Sequence, residues 1–327
     1  MNDKRYDLLA LGDPCVDIVL RAERLPLWDD KCVGESLGLF GGGTEANVAC
    51  AAAGLGWRSA LFGRIGDDLH GDFILRDLQR HGVHTGLLQR APGVRSSMAI
   101  VAVSTQGERS VIWLPPGDAA GSRADQPDGA QHDARHEARQ DTRHDTRHDA
   151  RDTERLDALA ASRWVYTMPY AASALPLLAA QAAANGTRIA IDVEREGARR
   201  SAGIAALLAD CDVAFFNRGG FEAAAGQPPS TALLHTLCRS ARARSVVVTL
   251  GADGAMAADR DDGVAHVPAA PVPRVVDATG AGDCFNATWL VARDVGLPLA
   301  AALAQAARAA AQVVSRLGAR SGLARSR

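Results

Sequence analysis

Short apolar runs alternate with longer stretches whose apolar residues recur at helical spacing, and this rhythm holds along most of the chain. Residues 8–11 read as a buried first strand ending at Gly12-Asp13. Residues 16–20 alternate about Asp17, and 33–40 alternate again. An Ala-rich helix runs to about Leu55. Residues 59–63 are a second buried strand. The helix after it carries Phe73, Ile74, Leu75 and Leu78 and stops at Gly82. Residues 98–103 and 111–114 pair as a hairpin around Gln106-Gly107. Strands exposed on one face suit a small flap, with lid strands at about 14–40 and 95–115. Beyond residue 160 strands are expected at 164–168, 188–193, 213–216 and 245–250, and helices at 171–184 and on both sides of Pro228-Pro229. An antiparallel pair at 255–258 and 264–267 follows, then helices at 283–295 and 299–317. Strands alternating with helices of this length predict an α/β fold: a doubly wound, mostly parallel sheet with helices on both faces, plus a small β-strand lid. Ligands of such sheets sit beyond the carboxyl ends of the strands. Asp192, Asn217, Thr249, Gly251 and the 277–283 turn should therefore share one edge.

Residues 118–155 break the rhythm. From His132 a four-residue unit repeats as HDAR, HEAR, QDTR, HDTR, HDAR, with no large apolar side chain to bury. Its Asp and Arg residues lie within helical reach, so transient helix is expected. His132/His136 and His144/His148 have i, i+4 metal spacing, which a solvated repeat explains as well. The segment reads as an insertion in a single domain spanning 1–327.

The 327 residues are 47% hydrophobic, enough for a sizeable core, and their net charge of −2 offers no electrostatic case for nucleic acid or an anionic membrane. The charged start is unlike a secretory signal, and no apolar run reaches the ~18 residues of a membrane span. The 6 cysteines form neither a C-x-x-C pair nor a metal-ligand pattern, so reduced thiols and a cytoplasmic setting are expected.

Chemistry concentrates in Asp277-Ala278-Thr279-Gly280-Ala281-Gly282-Asp283. Gly280 and Gly282 permit a tight turn and leave its amides open. The helix that begins there points unpaired N–H groups and a positive dipole end at one spot, which suits an anion. Asp283 is then either an ordinary helix cap or a base beside a phosphoryl group in transfer. Gly41 to Asn47 is a second glycine turn before a helix, open to an anion, to close ligand approach or to a turn alone. Asp17 either starts a turn or accepts bonds from hydroxyls in a pocket.

Taken together, these two turns, with Gly63 to Asp68 and Gly71, Asp283 followed by Phe285-Asn286-Ala287, Thr249-Leu250-Gly251 with Gly254, and the closing Gly318-Ala319-Arg320-Ser321-Gly322, resemble the ribokinase-like (PfkB) sugar kinase family. The likeness covers nearly all of the chain except 118–155. It implies ATP, Mg²⁺ and phosphorylation of a hydroxyl on a small sugar, a ketohexose or a pentose such as fructose or ribose. By position, Asp283 matches the base, and Gly280, Ala281 and Gly282 match the anion hole. Asp17, Gly42, Gly43, Thr44 and Asn47 match the sugar-binding turn. Asn217, Thr249, Gly251 and Gly254 match the nucleotide side. Asp277 matches a position that holds a monovalent cation such as K⁺ in some members. Residues 188–196 and 273–287 look most like the ketohexokinase branch, in which an Asn stands in place of Thr44. Gly220 departs from the family's Asn-x-x-Glu pattern, with Glu222 two places late. No lysine follows Lys31, so basic contacts fall to arginine, with Arg195 and Arg274 as candidates.

Two other readings stand beside the sugar kinase. One is a nucleoside kinase on the same fold, for which Trp28, Phe40 and Trp113 lie near the flap. The other is a non-catalytic sugar-binding regulatory protein. A nicotinamide dehydrogenase is disfavoured because no G-x-G-x-x-G follows the first strand. A homodimer through the lid strands would cover their exposed edges.

Overall fold

The computed structural model describes residues 4–104, 109–118, 146–169 and 174–323. Its strands, numbered along the chain, are β1 (Tyr6–Leu11), β2 (Cys15–Ala22), β3 (Gly34–Gly42), β4 (Ser59–Gly66), β5 (Leu88–Ala91), β6 (Val94–Arg95), β7 (Ser97–Val103) and β8 (Arg109–Leu114). After them come β9 (Gly117–Asp118), β10 (Ser162–Thr167), β11 (Arg188–Val193), β12 (Val213–Asn217), β13 (Ser245–Thr249), β14 (Ala255–Asp259) and β15 (Gly263–Val267).

The central sheet has nine strands in the order β15-β14-β13-β12-β11-β10-β1-β4-β5. The run from β13 to β5 is parallel, and β14 and β15 close one edge antiparallel. Helices cover both faces, which is why the middle strands are apolar throughout. On one face Leu159, Leu178, Leu207, Phe221 and Leu234 pack against Ile189, Ile191 and Val246. On the other, Val48, Trp289, Leu290 and Leu303 pack against Leu8, Tyr166 and Phe215. Trp289 meets Phe215 edge-on, with centroids 5.4 Å apart. Each of these side chains contributes about 1.5–3 kcal/mol of burial. Together they fix helix Ala281–Asp294 across the sheet with its N-terminus at the carboxyl edge.

The lid is a separate four-stranded sheet, β3-β2-β7-β8. Its register aligns two rows of side chains across all four strands. Phe40, Asp17, Ala99 and Trp113 form one row, and Leu39, Ile18, Ile100 and Ile112 the next. Neighbouring residues on a strand point to opposite faces, so the rows lie on opposite sides of the sheet. Val19, Val101 and Val103, on the Asp17 side, pack with Leu317 of the body, so this side faces inward.

Three short strands, β5, β6 and β9, escape the sequence reading because two to four residues carry no period to detect. Residues 119–145, including His132, His136 and His144, lie outside the described residues, as do 170–173 at the expected start of helix Ala174–Ala184. From Thr146 the chain is helix to Ala160, so the last part of the expected insertion is built into the fold. The Arg151 guanidinium sits 3.8 Å from the Phe62 ring centroid and donates to the carbonyls of Gly63 (2.8 Å) and Leu87 (3.0 Å). A charged side chain anchors this helix because the sheet edge offers it a ring face and bare carbonyls. Among the described residues no helix is long and apolar enough to cross a membrane.

Candidate active site

Helix Ala281–Asp294 is capped by Gly280 in the left-handed conformation (φ 75°), with no side-chain cap on its first amides. A side chain at Gly280 would begin 2.5 Å from the Ala319 Cβ, so glycine is required by both backbone and space. Above Gly282 the space is open. Asp277 ties the turn together: its carboxylate accepts from the Thr279 amide (2.8 Å), the Thr279 hydroxyl (2.6 Å) and the Gly318 amide (2.9 Å). Those bonds give Asp277 a structural duty within the turn. Asp283 is the third residue of the helix, so it is not the cap. Its half-buried carboxylate accepts a 2.7 Å bond from the Asn47 side-chain amide. Burial pushes its pKa up to about 7, and the charge of Glu194 adds to the rise, while the Asn47 bond, Arg109 and Arg320 oppose it.

The Asn47–Asp283 bond joins the two glycine turns across more than two hundred residues of sequence. Gly43 (φ 94°) caps helix Thr44–Gly54, again with no side-chain cap. Thr44 is half-buried at the same turn. The position where Gly42 lacks a Cβ is 2.2 Å from Asp17 Oδ1, so the Asp17 carboxylate lies directly against the turn. Asp17 accepts from the Cys15 thiol at 3.4 Å, and burial raises its pKa. Asp17, Gly42, Gly43, Thr44, Asn47, Asp283 and the 280–282 amides therefore converge.

The four nucleotide-side residues occupy the same sheet edge but make no direct contact with this group. Asn217 and Thr249 are register partners at the ends of β12 and β13. Asn217 is spent as a cap, accepting from the Gly220 amide at 2.7 Å. Gly251 faces open space with φ 64°, whereas a Cβ on Gly254 would meet the Val267 carbonyl at 2.0 Å. Gly220 has a steric cause as well: a Cβ there would meet the Val193 carbonyl at 2.0 Å. The close approach of helix Arg218–Ala225 to β11 leaves no room for a glutamate, and Glu194 is an exposed carboxylate on that side.

Sequence reasoning missed five contributors. Arg109, on the lid, donates to the Thr279 hydroxyl at 3.2 Å, a contact that fell to neither Arg195 nor Arg274. Arg320 is buried and bonds Asn47 Oδ1 at 2.9 Å. Glu45 is buried, accepts from the Met168 amide at 3.3 Å, and is pushed by burial to a pKa of about 8. Beneath Asp283, Tyr166 and Asn286 both donate to Asp192, at 2.9 and 3.1 Å, and hold that buried carboxylate in place. Arg320, Asn286 and Glu45 stood inside recognised motifs without being singled out. Arg109 and Tyr166 are single polar residues among apolar or charged neighbours, with nothing local to mark them.

Residues 6–325 match the model of the pfkB family carbohydrate kinases. A fructokinase of Vibrio alginolyticus is 40% identical over 103 residues, which are 32% of this chain and 30% of that protein. A ribokinase of Bacillus subtilis (strain 168) is 29% identical over 106 residues, 32% of this chain and 36% of that protein. The matched stretch thus spans about a third of the length of these curated relatives. Among solved structures, the Arabidopsis thaliana ribokinase complexed with ribose and ATP superposes with a TM-score of 0.74 at 22% identity, covering 98% of this chain and 96% of that one. The adenosine kinase of Sinorhizobium meliloti gives 0.72 at 24% identity, covering 98% of each chain. These structural likenesses speak to the fold, the family match speaks to the chain as a whole, and the chain belongs to the pfkB family of carbohydrate kinases.

Proposed function

We propose that this protein transfers the γ-phosphoryl group of ATP to a hydroxyl of a small sugar, a ketohexose or a pentose such as fructose or ribose. One observation carries the reading: the Asp283 carboxylate stands at the mouth of an uncapped helix N-terminus and faces a second polar turn that includes Asp17 and Asn47. Phosphoryl transfer needs positioning and charge stabilisation more than covalent chemistry. The open amides at 280–282 are fixed before charge develops on the transferred group, so they need not reorganise. Asp283 takes the hydroxyl proton, and its raised pKa brings its basicity near neutral pH. Asp17 and Asn47 orient the sugar. The inner face of the lid, with Phe40, Asp17 and Trp113 in one row, closes over it and excludes water.

Mg²⁺ fits this site as a companion of ATP. Asn217 is spent as a helix cap, Gly220 has no side chain, and no cluster among the described residues is suited to hold a metal by protein groups alone. Mg²⁺ commonly keeps waters and substrate phosphates with one or two carboxylates, and Glu194 is an exposed carboxylate on that side. When bound, the ion neutralises charge on the phosphates. The bonds already made by Asp277 supply no support for a K⁺ requirement.

The outer lid row supports a homodimer. Leu39 and Ile112, at its two ends, are 50% and 55% exposed, and pairing two lids would cover the whole row. Six free cysteines support a cytoplasmic setting. We read the chain as one kinase domain with an insertion. Because Arg151 and Leu159 anchor the helix that follows, its dispensable part ends before residue 146.

The test is ADP release with ATP and Mg²⁺ across fructose, ribose, tagatose, 2-keto-3-deoxygluconate and nucleosides. Sugar-dependent ADP release from the intact protein, lost in Asp283→Asn, is the expected result. ADP release only with nucleosides, or with none of the panel, would overturn the reading.

A further inference from the structure

The segment after the last helix reaches back under the site. Gly318 bonds Asp277 and Ala319 fills the space under Gly280, so two of its residues brace the anion turn. The next residue does something else. Arg320 is 6% exposed, yet each nitrogen of its guanidinium has a partner. Nε donates to Asn47 Oδ1 at 2.9 Å, Nη2 donates to the Gly42 carbonyl at 2.8 Å, and Nη1 pairs with Asp77 of helix Leu69–Arg80.

We propose that Arg320 is a positioning residue for the base, fixing the side-chain amide of Asn47 and through it the Asp283 carboxylate. This inference rests on the kinase reading. Donors and acceptors decide the orientation of the amide. A guanidinium only donates, so the amide oxygen of Asn47 must face it. The NH₂ end is then turned to Asp283, where it donates to Oδ2 and leaves Oδ1 for a substrate hydroxyl. The reversed amide would set NH₂ against guanidinium and carbonyl against carboxylate, two repulsions in place of two bonds. Asn47 alone has no such preference, because its two ends are nearly the same shape. The Gly42 and Asp77 contacts keep the guanidinium from following Asn47 if it swings. A lysine in this place has one point charge and no fork, so it cannot hold all three partners at once.

The charged and titratable groups around the pair are Asp77 with its neighbour His81, Cys15 and Asp17 of β2, Glu45 and Cys50 of helix Thr44–Gly54, Tyr166 of β10, Asp192 of β11 and Glu194 after it, Cys284 beside Asp283, and Arg109 of β8. Arg320→Lys should lower kcat about ten- to a hundredfold, the scale of a small misplacement of a reacting group. It should leave the KM for ATP within about twofold, because the partners of Arg320 are the sugar-side turn and Asp77 rather than the nucleotide-side residues. The acidic limb of kcat/KM should move to higher pH, since Asp283 loses a well-aimed donor. In an Asn47→Ala background the same substitution should add no further movement. Asp77→Asn keeps the Nε and Nη2 bonds but removes the neighbour that neutralises the buried cation, so the limb should move to lower pH. Asp77→Asn therefore decides the matter if Arg320→Lys does not fold. The same titrations, followed by the ¹³C-carboxyl signal of Asp283 in the sugar-free protein, require no turnover. If Asp283 titrates as predicted while the intact protein phosphorylates none of the panel, the kinase reading fails and the positioning stands. If Arg320→Lys lowers only the melting temperature, with limb and carboxyl titration unmoved, Arg320 is merely structural and the proposal is overturned. Additive shifts in the double variant, or an unmoved limb in Asp77→Asn, overturn it too.

Discussion

Replacing Asp283 by Asn keeps the shape of the side chain and removes its basicity, and the structure sets two consequences of opposite sign. The first is kinetic. With a pKa of about 7, the carboxylate is about one-tenth ionised at pH 6 and about nine-tenths at pH 8. The ionised form is the base, so wild-type kcat/KM should rise roughly tenfold between those limits and level off above them. An aspartate at its ordinary value near 3.8 would give a flat profile over the same window. Asp283→Asn should lower kcat by about 10²–10⁴ and leave ATP binding nearly unchanged. The second consequence is on stability. The unfolded chain ionises this group near 3.8 and the folded protein near 7, so folding loses stability as pH rises through that interval, and the loss is complete above it. About three pH units correspond to about 4 kcal/mol, an upper figure because solvent reaches a half-buried carboxylate. Asp283→Asn should therefore raise the melting temperature at pH 8, by several degrees at that scale, and raise it less at pH 5. Steady-state ADP release from pH 5.5 to 9 and thermal melts at both pH values measure the two effects. Turnover within about threefold of wild type would refute the base assignment, taking ~10² as the least such a base contributes. A lower melting point at pH 8 would refute the claim that the fold holds this carboxylate at a cost.

Arg109→Ala should cut kcat about tenfold or more, the scale of a lost charge-assisted contact in the transition state, without lowering the melting temperature, because the residue is exposed. Circular dichroism and steady-state kinetics check both halves. Gly280→Ala should abolish turnover and destabilise by about 1–3 kcal/mol, since the new methyl meets Ala319 in a backbone region that side chains rarely adopt; urea unfolding and the coupled assay read the two. Ile112→Asp should convert a lid-paired dimer to monomer in analytical ultracentrifugation, whereas a monomeric wild type at micromolar concentration would end the dimer reading.

The central sheet was legible because burial on both faces demands continuous apolar runs, as at residues 8–11 and 245–250, and apart from the short edge strand β5 only the boundaries moved. Both glycine turns were legible for a related reason: glycine next to a helix start states a backbone requirement that is local. What stayed hidden depends on partners distant in sequence. Arg151 lay in a polar repeat and reads as solvent-facing until Phe62 and the Gly63 and Leu87 carbonyls are placed beside it. Asp277 was legible as a family match to a cation position, whereas its bond from Gly318, forty-one residues away, leaves no local trace. Gly220 looked like a lost glutamate, and the Val193 carbonyl gives the departure a steric cause. Arg109 carried no signal at all, since a lone arginine on a half-exposed strand is the commonest kind of surface residue.

Arg109 also changes how the charges of the site are understood. Asp17, Glu45, Asp192, Glu194 and Asp283 gather on the edge where the proposed transfer would take place, and like charges there would repel a phosphoryl group. Burial removes part of the problem, because Glu45 and Asp192 are pushed toward their neutral forms and Asp283 is balanced near neutrality. The rest falls to cations. Arg320 is already committed to Asp77 on the far side of the glycine turn, so its charge is largely spent there. Arg109 is exposed, stands on the lid, and touches the anion turn through Thr279. In the proposed reaction Arg109 would bring its charge to the phosphoryl site as part of the lid. A lid drawn down over sugar would then supply that charge as it excludes water, which would couple sugar binding to readiness for transfer and oppose wasteful hydrolysis by electrostatics as well.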